Sequence, residues 1–311
     1  MQKKKNDYYL NVYKLRARDT YEYRLDSREK PMVSSPVSFS PDAKKVAYAA
    51  QKNNIKSVAV LELDTQKTVY LKDLLTNPEN SFTERGRSEI PIIWLDSERI
   101  IYENSIPFKR SGIIIVNLNT KEEELFLDRC INPALSHDKK KIAFRSAAKT
   151  DSSTINLYNL ETQENTTLME DLPGYVDFIS WSPDDNSLAV GYSFREGNTT
   201  LVLQRVAIID MNGTFSSISE MQLLSNPQWV DENTLLVTES QIKDFAIKSS
   251  TVKGLLAYNR TDGSFQTVTN KIRSRYYFLS PNKKLVIAGV SGKNIYMLKI
   301  KRTRKGTLMT D

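Results

Sequence analysis

The chain has 311 residues, 40% of them hydrophobic, with one cysteine, one histidine and a formal net charge of +7. One cysteine excludes an intramolecular disulfide and a cysteine-rich metal site, and one histidine excludes a metal site built from several histidines. The hydrophobic content and its regular pattern predict a packed globular chain rather than a disordered one.

The N-terminal segment is charged and then strand-like. Residues 1–7 carry three lysines with no apolar run after them, so neither a signal peptide nor a membrane span is predicted. If Met1 is the native start, we expect a cytoplasmic protein; if an export segment has been trimmed, we expect an extracytoplasmic one. Residues 8–15 and 20–25 then have the composition of two strands.

From residue 40 onward, a phrase of nine residues returns six times. An aromatic or aliphatic residue ends a strand, a polar turn centred on Asp or Asn follows, and an apolar strand leaves. The copies occupy residues 40–48, 94–102, 136–144, 182–190, 229–237 and 280–288. Their spacing of about 40 to 54 residues is typical of propeller blades.

The fourth copy shows why the phrase predicts a blade. Pro183 pre-sets the backbone of the turn, and Asp184 and Asn186 carry side chains that can bond to that backbone. A strand follows, and Asn212-Gly213 marks a further hairpin. We therefore interpret the repeated Asp residues as turn chemistry rather than as metal ligands, and the three tryptophans as core between blades.

Together the units predict an all-β chain, with residues 1–311 forming a single six-bladed β-propeller domain of four-stranded blades. The repeats are predicted at approximately 37–75, 90–128, 131–170, 176–220, 226–269 and 275–300. The sixth lacks a fourth strand, so we expect an N-terminal strand at about 20–25 to close the ring. The strand at 8–15 is one more than closure needs. Either it is an extra outer strand, or the two N-terminal strands displace residues 295–300.

The positive charge is concentrated at the two ends of the chain. Eight cations account for it and leave the rest close to neutral: Lys3, Lys4, Lys5, Lys299, Lys301, Arg302, Arg304 and Lys305. We interpret residues 1–6 and 301–311 as basic tails that promote solubility. The alternative is that the tails bind an anionic membrane or a nucleic acid.

The Ser-Pro-Asp phrase with an aromatic residue before it resembles the repeat of the TolB-type six-bladed β-propellers. Residues 40–48 and 182–190 match best, preceded by Phe39 and Trp181. The third and sixth copies depart at His137 and Asn282, and the second and fifth lack the Ser-Pro pair. The resemblance covers about residues 37–300 and implies the fold. Related propellers serve as binding modules, as gating domains of peptidases and as enzymes, so the resemblance implies no single activity.

Residues suited to catalysis are scarce in this sequence. His137 lies in a repeat turn, and no Gly-x-Ser-x-Gly, His-Glu-x-x-His or glycine-rich phosphate loop occurs. Cys130 is predicted to be a buried apolar residue rather than a nucleophile. We therefore predict no catalytic residue, no metal, no cofactor and no enzymatic activity. The alternative is a hydrolytic or lyase propeller with two carboxylates from different blades facing each other across the central channel.

Long loops on one face of the predicted propeller favour a binding function. The loops that join second to third strands, and one blade to the next, are longer than the opposite turns. They carry aromatic side chains beside Arg or Lys. The rim residues predicted to bind are Phe82, Arg85, Arg87, Phe108, Lys109, Arg110, Arg145, Phe194, Arg195, Phe245, Arg273 and Arg275.

These rim residues predict a non-catalytic scaffold that docks another protein, and we expect the chain to be a monomer. Aromatic and arginine side chains are the usual anchors of protein interfaces. Two alternatives remain open. The phenylalanines fold back to cover the blade ends, or the arginines bind a small anionic ligand in the central channel.

Overall fold

The computed structural model of the chain describes residues 2–4, 7–14, 19–24, 29–31, 37–52, 55–71, 91–106, 110–146, 152–195, 202–220, 222–244, 249–270, 277–279, 285–289, 295–302 and 308–310. In these ranges the regular elements are all β-strands, paired in antiparallel sheets. They include no helix that is long and apolar enough to span a membrane. The chain divides into two compact units, residues 1–133 and 134–311.

The first unit holds three sheets in its described residues. The first contains β1 (Gln2–Lys4), β2 (Asp7–Lys14) and β3 (Asp19–Arg24) in that order. The second contains β4 (Glu29–Pro31), β5 (Ser38–Phe39), β6 (Lys45–Lys52), β7 (Ile55–Glu62) and β8 (Thr68–Tyr70), with both β4 and β5 paired to β6. The third contains β9 (Ile92–Trp94), β10 (Arg99–Ile106), β11 (Arg110–Asn117) and β12 (Glu123–Asp128).

Four further sheets follow, each of four strands in chain order. The boundary between the units falls inside β13 (Cys130–Leu135), which is followed by β14 (Lys141–Ser146), β15 (Ser152–Asn159) and β16 (Asn165–Pro173). The next sheet contains β17 (Tyr175–Trp181), β18 (Ser187–Arg195), β19 (Val202–Asp210) and β20 (Phe215–Ser217). The last two contain β21 (Leu223–Asp231), β22 (Thr234–Asp244), β23 (Ser249–Asn259) and β24 (Phe265–Thr269), then β25 (Tyr277–Leu279), β26 (Leu285–Gly289), β27 (Ile295–Arg302) and β28 (Leu308–Thr310).

The N-terminal strands form a sheet of their own, which bears on the predicted closure. β3 includes most of the predicted closing strand at 20–25, and it pairs with β2. Tyr23 of β3 is half-buried and packs against the cluster that contains Val46 and Tyr48 of β6. The fourth strand of the last sheet is β28, which pairs with β27. Closure by residues 20–25 is therefore not confirmed, and neither is the count of six blades, because the described residues form seven sheets.

The Ser-Pro-Asp phrase forms a tight turn with a fixed set of hydrogen bonds. The Ser182 hydroxyl donates to Asp184 Oδ1 (2.6 Å) and accepts from the Ser187 N–H (2.9 Å). The Asp185 N–H closes the turn on the Ser182 carbonyl at 2.9 Å, with a φ of +55° at Asp185. The same hydrogen bonds recur around Ser40 and Ser136. The interpretation of the repeated Asp residues as turn chemistry is confirmed for these copies.

Three tryptophans join successive sheets. Each lies at or near the end of the first strand of its sheet, is at most 6% exposed, and donates its indole N–H to a backbone carbonyl of the preceding sheet. The three bonds are Trp94 Nε1 to Ser38 O (3.0 Å) in the first unit, and Trp181 Nε1 to Ala134 O (2.9 Å) and Trp229 Nε1 to Ser180 O (3.2 Å) in the second. The prediction that these tryptophans are core between neighbouring repeats is therefore confirmed.

Candidate functional site

Most of the rim residues predicted from sequence lie outside the described residues. This applies to Phe82, Arg85, Arg87, Phe108, Lys109, Phe245, Arg273 and Arg275. Arg110 is the first residue of β11, but its side chain is not among those described. Arg145, Phe194 and Arg195 are described, and all three lie in the second unit, on the neighbouring sheets β13–β16 and β17–β20.

These residues meet at one end of the sheet β17–β20. At this end Tyr175, the first residue of β17, pairs with Ser193, and Arg195, the last residue of β18, pairs with Val202 of β19. Tyr175 is 43% exposed and Val202 is 51% exposed, which is high for large apolar side chains. The start of β17 therefore lies beside the connection between the second and third strands. We call Tyr175, Arg195 and Val202, together with Arg145 against the Tyr175 ring, the Tyr175 surface.

The backbone before Tyr175 is held in a tight conformation. Gly174 has a φ of +79°, and a Cβ at this position would lie 2.2 Å from the Ser193 carbonyl oxygen. The fully buried Ser153 hydroxyl donates to the Gly174 carbonyl (2.7 Å) and accepts from the Val176 N–H (3.2 Å). The aromatic side chain is thus presented to solvent from a backbone that is fixed on both sides.

Arg145 supplies a buried positive charge beneath this aromatic ring. It lies near the end of β14 and is only 6% exposed. Its guanidinium carbon lies 4.8 Å from the centroid of the Tyr175 ring, which is a cation–π contact. This contact joins two adjacent sheets. The Tyr175 ring is therefore held by Arg145, in addition to the backbone contacts of Gly174 and Ser153.

Phe194, which the sequence suggests as a binding anchor, packs against the core. It is half-buried, and its ring stacks on Tyr192 with 5.9 Å between centroids. The Arg205 guanidinium lies 5.7 Å from the Phe194 ring, and Arg205 Nη1 donates to the Gln222 carbonyl at 3.2 Å. Phe194 therefore supports the end of the sheet from inside, as in the alternative that the phenylalanines fold back.

Guanidinium groups and carboxylates both occur among the described ionisable groups at this end. Arg145, Arg195 and Arg205 are the cations. The nearby carboxylates include Asp177, which accepts a hydrogen bond from the Ser193 hydroxyl at 2.6 Å, and Asp171, which accepts one from the Ser152 hydroxyl at 3.3 Å and follows Glu170 on β16. The Tyr175 surface thus combines the exposed side chains of Tyr175 and Val202 with the guanidinium groups of Arg145 and Arg195.

Sequence reasoning missed Tyr175 and Val202. The signal for Tyr175 was the segment Pro173-Gly174-Tyr175 between two repeats, where a glycine directly precedes an aromatic residue at the start of a first strand. Such a glycine often permits a close backbone approach. No comparable signal marks Val202, whose exposure depends on its place at the end of the sheet.

Groups suited to catalysis are held in structural contacts. His137 Nδ1 lies 3.1 Å from Asp185 Oδ1, and the backbone N–H groups of His137 and Asp138 donate to the same carboxylate. Burial, and then the charge of Asp128, raises the pKa of Cys130 to about 12, so this thiol stays protonated. In the described ranges no three His, Cys, Asp or Glu side chains cluster closely enough to hold a metal ion.

Comparison with known proteins identifies the fold. No protein-family model and no curated protein sequence matches the chain. Its structure is similar to an oligogalacturonate lyase in complex with manganese, at 13% identity and a TM-score of 0.63, covering 97% of this chain and 83% of the lyase. It is also similar to the β-propeller domain of the trilobed protease from Pyrococcus furiosus (10% identity, TM-score 0.62, 94% and 84% covered). The fold is a β-propeller.

TolB from Acinetobacter baumannii is among the propellers that this chain resembles. The identity is 14% and the TM-score 0.54, with 96% of this chain and 74% of TolB covered. The resemblance to TolB noted in the sequence therefore extends to the propeller fold. Membership of the TolB-type family is not confirmed at this identity.

These similarities correct the prediction that the chain is not an enzyme. The similar structures include a lyase and the propeller domain of a protease, and each matches nearly the whole length of the present chain. The same scaffold therefore occurs in enzymes. A low content of histidine and cysteine does not argue against catalysis, since carboxylates and backbone groups also perform it. At 10–14% identity the similarity is one of fold, and a propeller scaffold alone does not settle catalysis.

Proposed function

We propose that this propeller docks another protein through the Tyr175 surface. The observation that carries the proposal is a 43% exposed tyrosine held by Gly174, Ser153 and Arg145. Immobilising a side chain during association costs conformational entropy, and a ring that is already fixed avoids most of that cost. Tyrosine and arginine are the residue types that dominate binding energy in protein interfaces.

The charge of the Tyr175 surface suggests the chemistry of its partner. Arg195 is an exposed cation of this surface, and the nearby carboxylates of Asp171 and Asp177 already accept hydrogen bonds from serine hydroxyls. A partner that presents Asp or Glu beside an apolar side chain would pair with Arg195 and cover Tyr175 and Val202. The remaining rim residues predicted from sequence, such as Phe108 and Arg110, stay predictions for the same function.

A photo-crosslinking experiment in the source cells tests this proposal. A photoreactive amino acid replaces Val202, which is 51% exposed on the Tyr175 surface. We expect a discrete crosslinked protein that disappears when Tyr175→Ala is introduced into the same chain. The control carries the photoreactive residue at Glu232, an exposed position in the turn between β21 and β22.

The Glu232 control distinguishes a specific docking site from non-specific association. The same crosslinked species from both positions, or a species from Val202 that survives Tyr175→Ala, would contradict the proposal. Absence of any crosslinked protein from Val202 under conditions in which the chain is folded would also contradict it.

A second candidate function is catalysis on a small ligand in the predicted central channel. It is supported by the similarity in fold to an oligogalacturonate lyase over 97% of the chain. Incubation with oligogalacturonate and Mn²⁺ tests the lyase form, since elimination creates a carbon–carbon double bond that absorbs in the ultraviolet. Absorbance that rises only with the folded chain would support this candidate, and a flat trace at high protein concentration would overturn its lyase form.

A further inference from the structure

Two buried serine hydroxyls in the sheet β21–β24 have no hydrogen-bond partner among the residues that the structure describes. Ser225 on β21 is 4% exposed and Ser240 on β22 is 6% exposed. Among the described residues, neither Oγ has a donor or an acceptor within hydrogen-bond distance. A buried hydroxyl without a partner costs about 1–3 kcal/mol, and native proteins contain few of them. Two such hydroxyls in one sheet therefore suggest a bound molecule that forms hydrogen bonds with both.

The strand register places the two hydroxyls on one face of the sheet. Ser225 pairs with Thr238, and Leu223 pairs with Ser240. Because alternate residues of a strand point to the same face, Ser240 shares a face with Thr238 and hence with Ser225. The two serines are diagonal neighbours, for which Cβ atoms are typically somewhat less than about 7–8 Å apart.

Strand β25 packs on this face of the sheet at Leu236. The Tyr277 hydroxyl donates to the carbonyl of Leu236, which precedes Thr238 by two residues. The side-chain amides of Asn226 and Gln228 both donate to the Tyr277 carbonyl. Asn226 has a φ of +50°, and the pairing of β21 with β22 shifts between Ser225 and Gln228. Ser225 thus lies beside a bulge that breaks the regular pairing, and both serines lie on the face of the sheet that packs against β25 at Leu236.

The groups around the Ser225 and Ser240 hydroxyls favour a neutral bound molecule. Glu239, between Thr238 and Ser240, points to the opposite face of β22, where it pairs with Lys253 at 3.2 Å. A hydroxyl both donates and accepts hydrogen bonds, so a molecule that bridges two hydroxyls should be able to do both. Two O–H···O bonds of about 2.7–2.8 Å placed end to end span about 5.5 Å, which is compatible with diagonal serines.

We propose that Ser225 and Ser240 form a site for an ordered water molecule that bridges β21 and β22. Buried waters typically make about three hydrogen bonds to polar groups that are otherwise unsatisfied. The two serine hydroxyls supply two of these bonds. The site is independent of the Tyr175 surface and of any docking function.

Equilibrium unfolding of Ser225→Ala, Ser240→Ala and the double variant tests this site. With a bridging water, each single substitution leaves a polar group short of one partner, and we expect the unfolding constant to rise about tenfold. We expect the unfolding constant of the double variant to rise by less than the product of the two single increases, since both substitutions break the same water bridge. Unchanged or increased stability in the single variants, with additive effects in the double, would overturn the proposal.

Two control serines calibrate this result. Ser216 on β20 is exposed, so Ser216→Ala should leave the unfolding constant unchanged. Ser153 is fully buried and its hydroxyl makes two hydrogen bonds of 2.7 and 3.2 Å, so Ser153→Ala should raise the unfolding constant at least as much as either test variant. Test variants that behave like Ser216→Ala would count against the bridging water.

A direct count of long-lived waters provides a second readout. Magnetic relaxation dispersion of water nuclei reports internal molecules that exchange slowly with solvent. We expect the double variant to hold one fewer such water than the wild-type chain, with Ser216→Ala unchanged. Equal counts in the wild-type chain and the double variant would overturn the proposal.

Discussion

The repeated Asp residues act through their carboxylates at the tight turns. In Asp184 the hydrogen bond from the Ser182 hydroxyl, followed by that from the Asn186 N–H, lowers the pKa below its usual value against the opposing effect of desolvation. The pKa values of Asp42 and Asp138 are lowered in the same way by Ser40 and Ser136. Each turn therefore holds the ionised form of its aspartate.

These lowered pKa values predict a loss of stability in acid. A carboxyl group whose pKa is lower in the folded chain stabilises it fully above the unfolded pKa of about 3.9, and this stabilisation is lost as the pH falls through the folded pKa. We expect Asp184→Asn to lower the urea midpoint at pH 7 and to leave it close to wild type at pH 2–3. A deficit of the same size at both pH values would show that the ionised form contributes nothing.

The indole N–H groups make a second contribution at the residue scale. Trp181→Phe keeps an aromatic ring in the core but leaves the Ala134 carbonyl without its donor. We expect a loss of about 1–3 kcal/mol in the free energy of unfolding, from the unsatisfied carbonyl and the smaller ring. Chemical denaturation measures it, and Trp229→Phe should behave alike because its indole donates to Ser180. A loss below about 0.5 kcal/mol in both variants would contradict this role.

At the scale of elements, the turn before β17 determines where Tyr175 lies. Gly174→Ala places a Cβ 2.2 Å from the Ser193 carbonyl oxygen at a φ of +79°. Gly263 has a similar φ of +71°, but a Cβ there would meet nothing within 4 Å, so Gly263→Ala isolates the cost of the φ angle. We expect about 1 kcal/mol for Gly263→Ala and more than about 2 kcal/mol for Gly174→Ala in urea unfolding. Equal losses would show that the close approach to Ser193 is relieved at no cost.

The strands and turns were predictable where their causes are local. Ser182, Pro183 and Asp184 close a turn among themselves, so their order in the sequence is sufficient to predict it. The fate of the N-terminal strands depends instead on long-range pairing, and β28 pairs with β27 where residues 20–25 were expected. Tyr175 escaped prediction for the same reason, because its exposure depends on Gly174 and on Arg145 from the preceding sheet.

At the scale of the whole molecule, the repeat period predicted a propeller, and similar structures share that fold. Function was less predictable, since the propeller scaffold occurs in enzymes as well as in TolB. In addition, the positions of residues in the long loops depend on the three-dimensional fold. Of the rim residues, Arg145 and Arg195 lie on the Tyr175 surface, and Phe194 lies beneath it.

Charge should set the salt dependence of docking. Arg195 is exposed, so Arg195→Glu should weaken partner binding chiefly through the association rate and reduce its dependence on ionic strength. Surface plasmon resonance at two salt concentrations measures both effects. Lys67→Glu, an exposed charge reversal in the turn before β8, is the matched control. Equal effects of the two reversals would indicate a response to net charge rather than to this surface.

The affinity of Tyr175→Ala for the crosslinked partner tests the docking function most directly. The partner is purified, and its dissociation constant is measured for the wild-type chain, Tyr175→Ala and Glu232→Ala, with unfolding curves to confirm that each variant is folded. We expect Tyr175→Ala to weaken binding by about 2 kcal/mol, or roughly thirtyfold, and Glu232→Ala to bind as the wild type does. A folded Tyr175→Ala variant that binds the partner with wild-type affinity would contradict the assignment of the Tyr175 surface as the docking site.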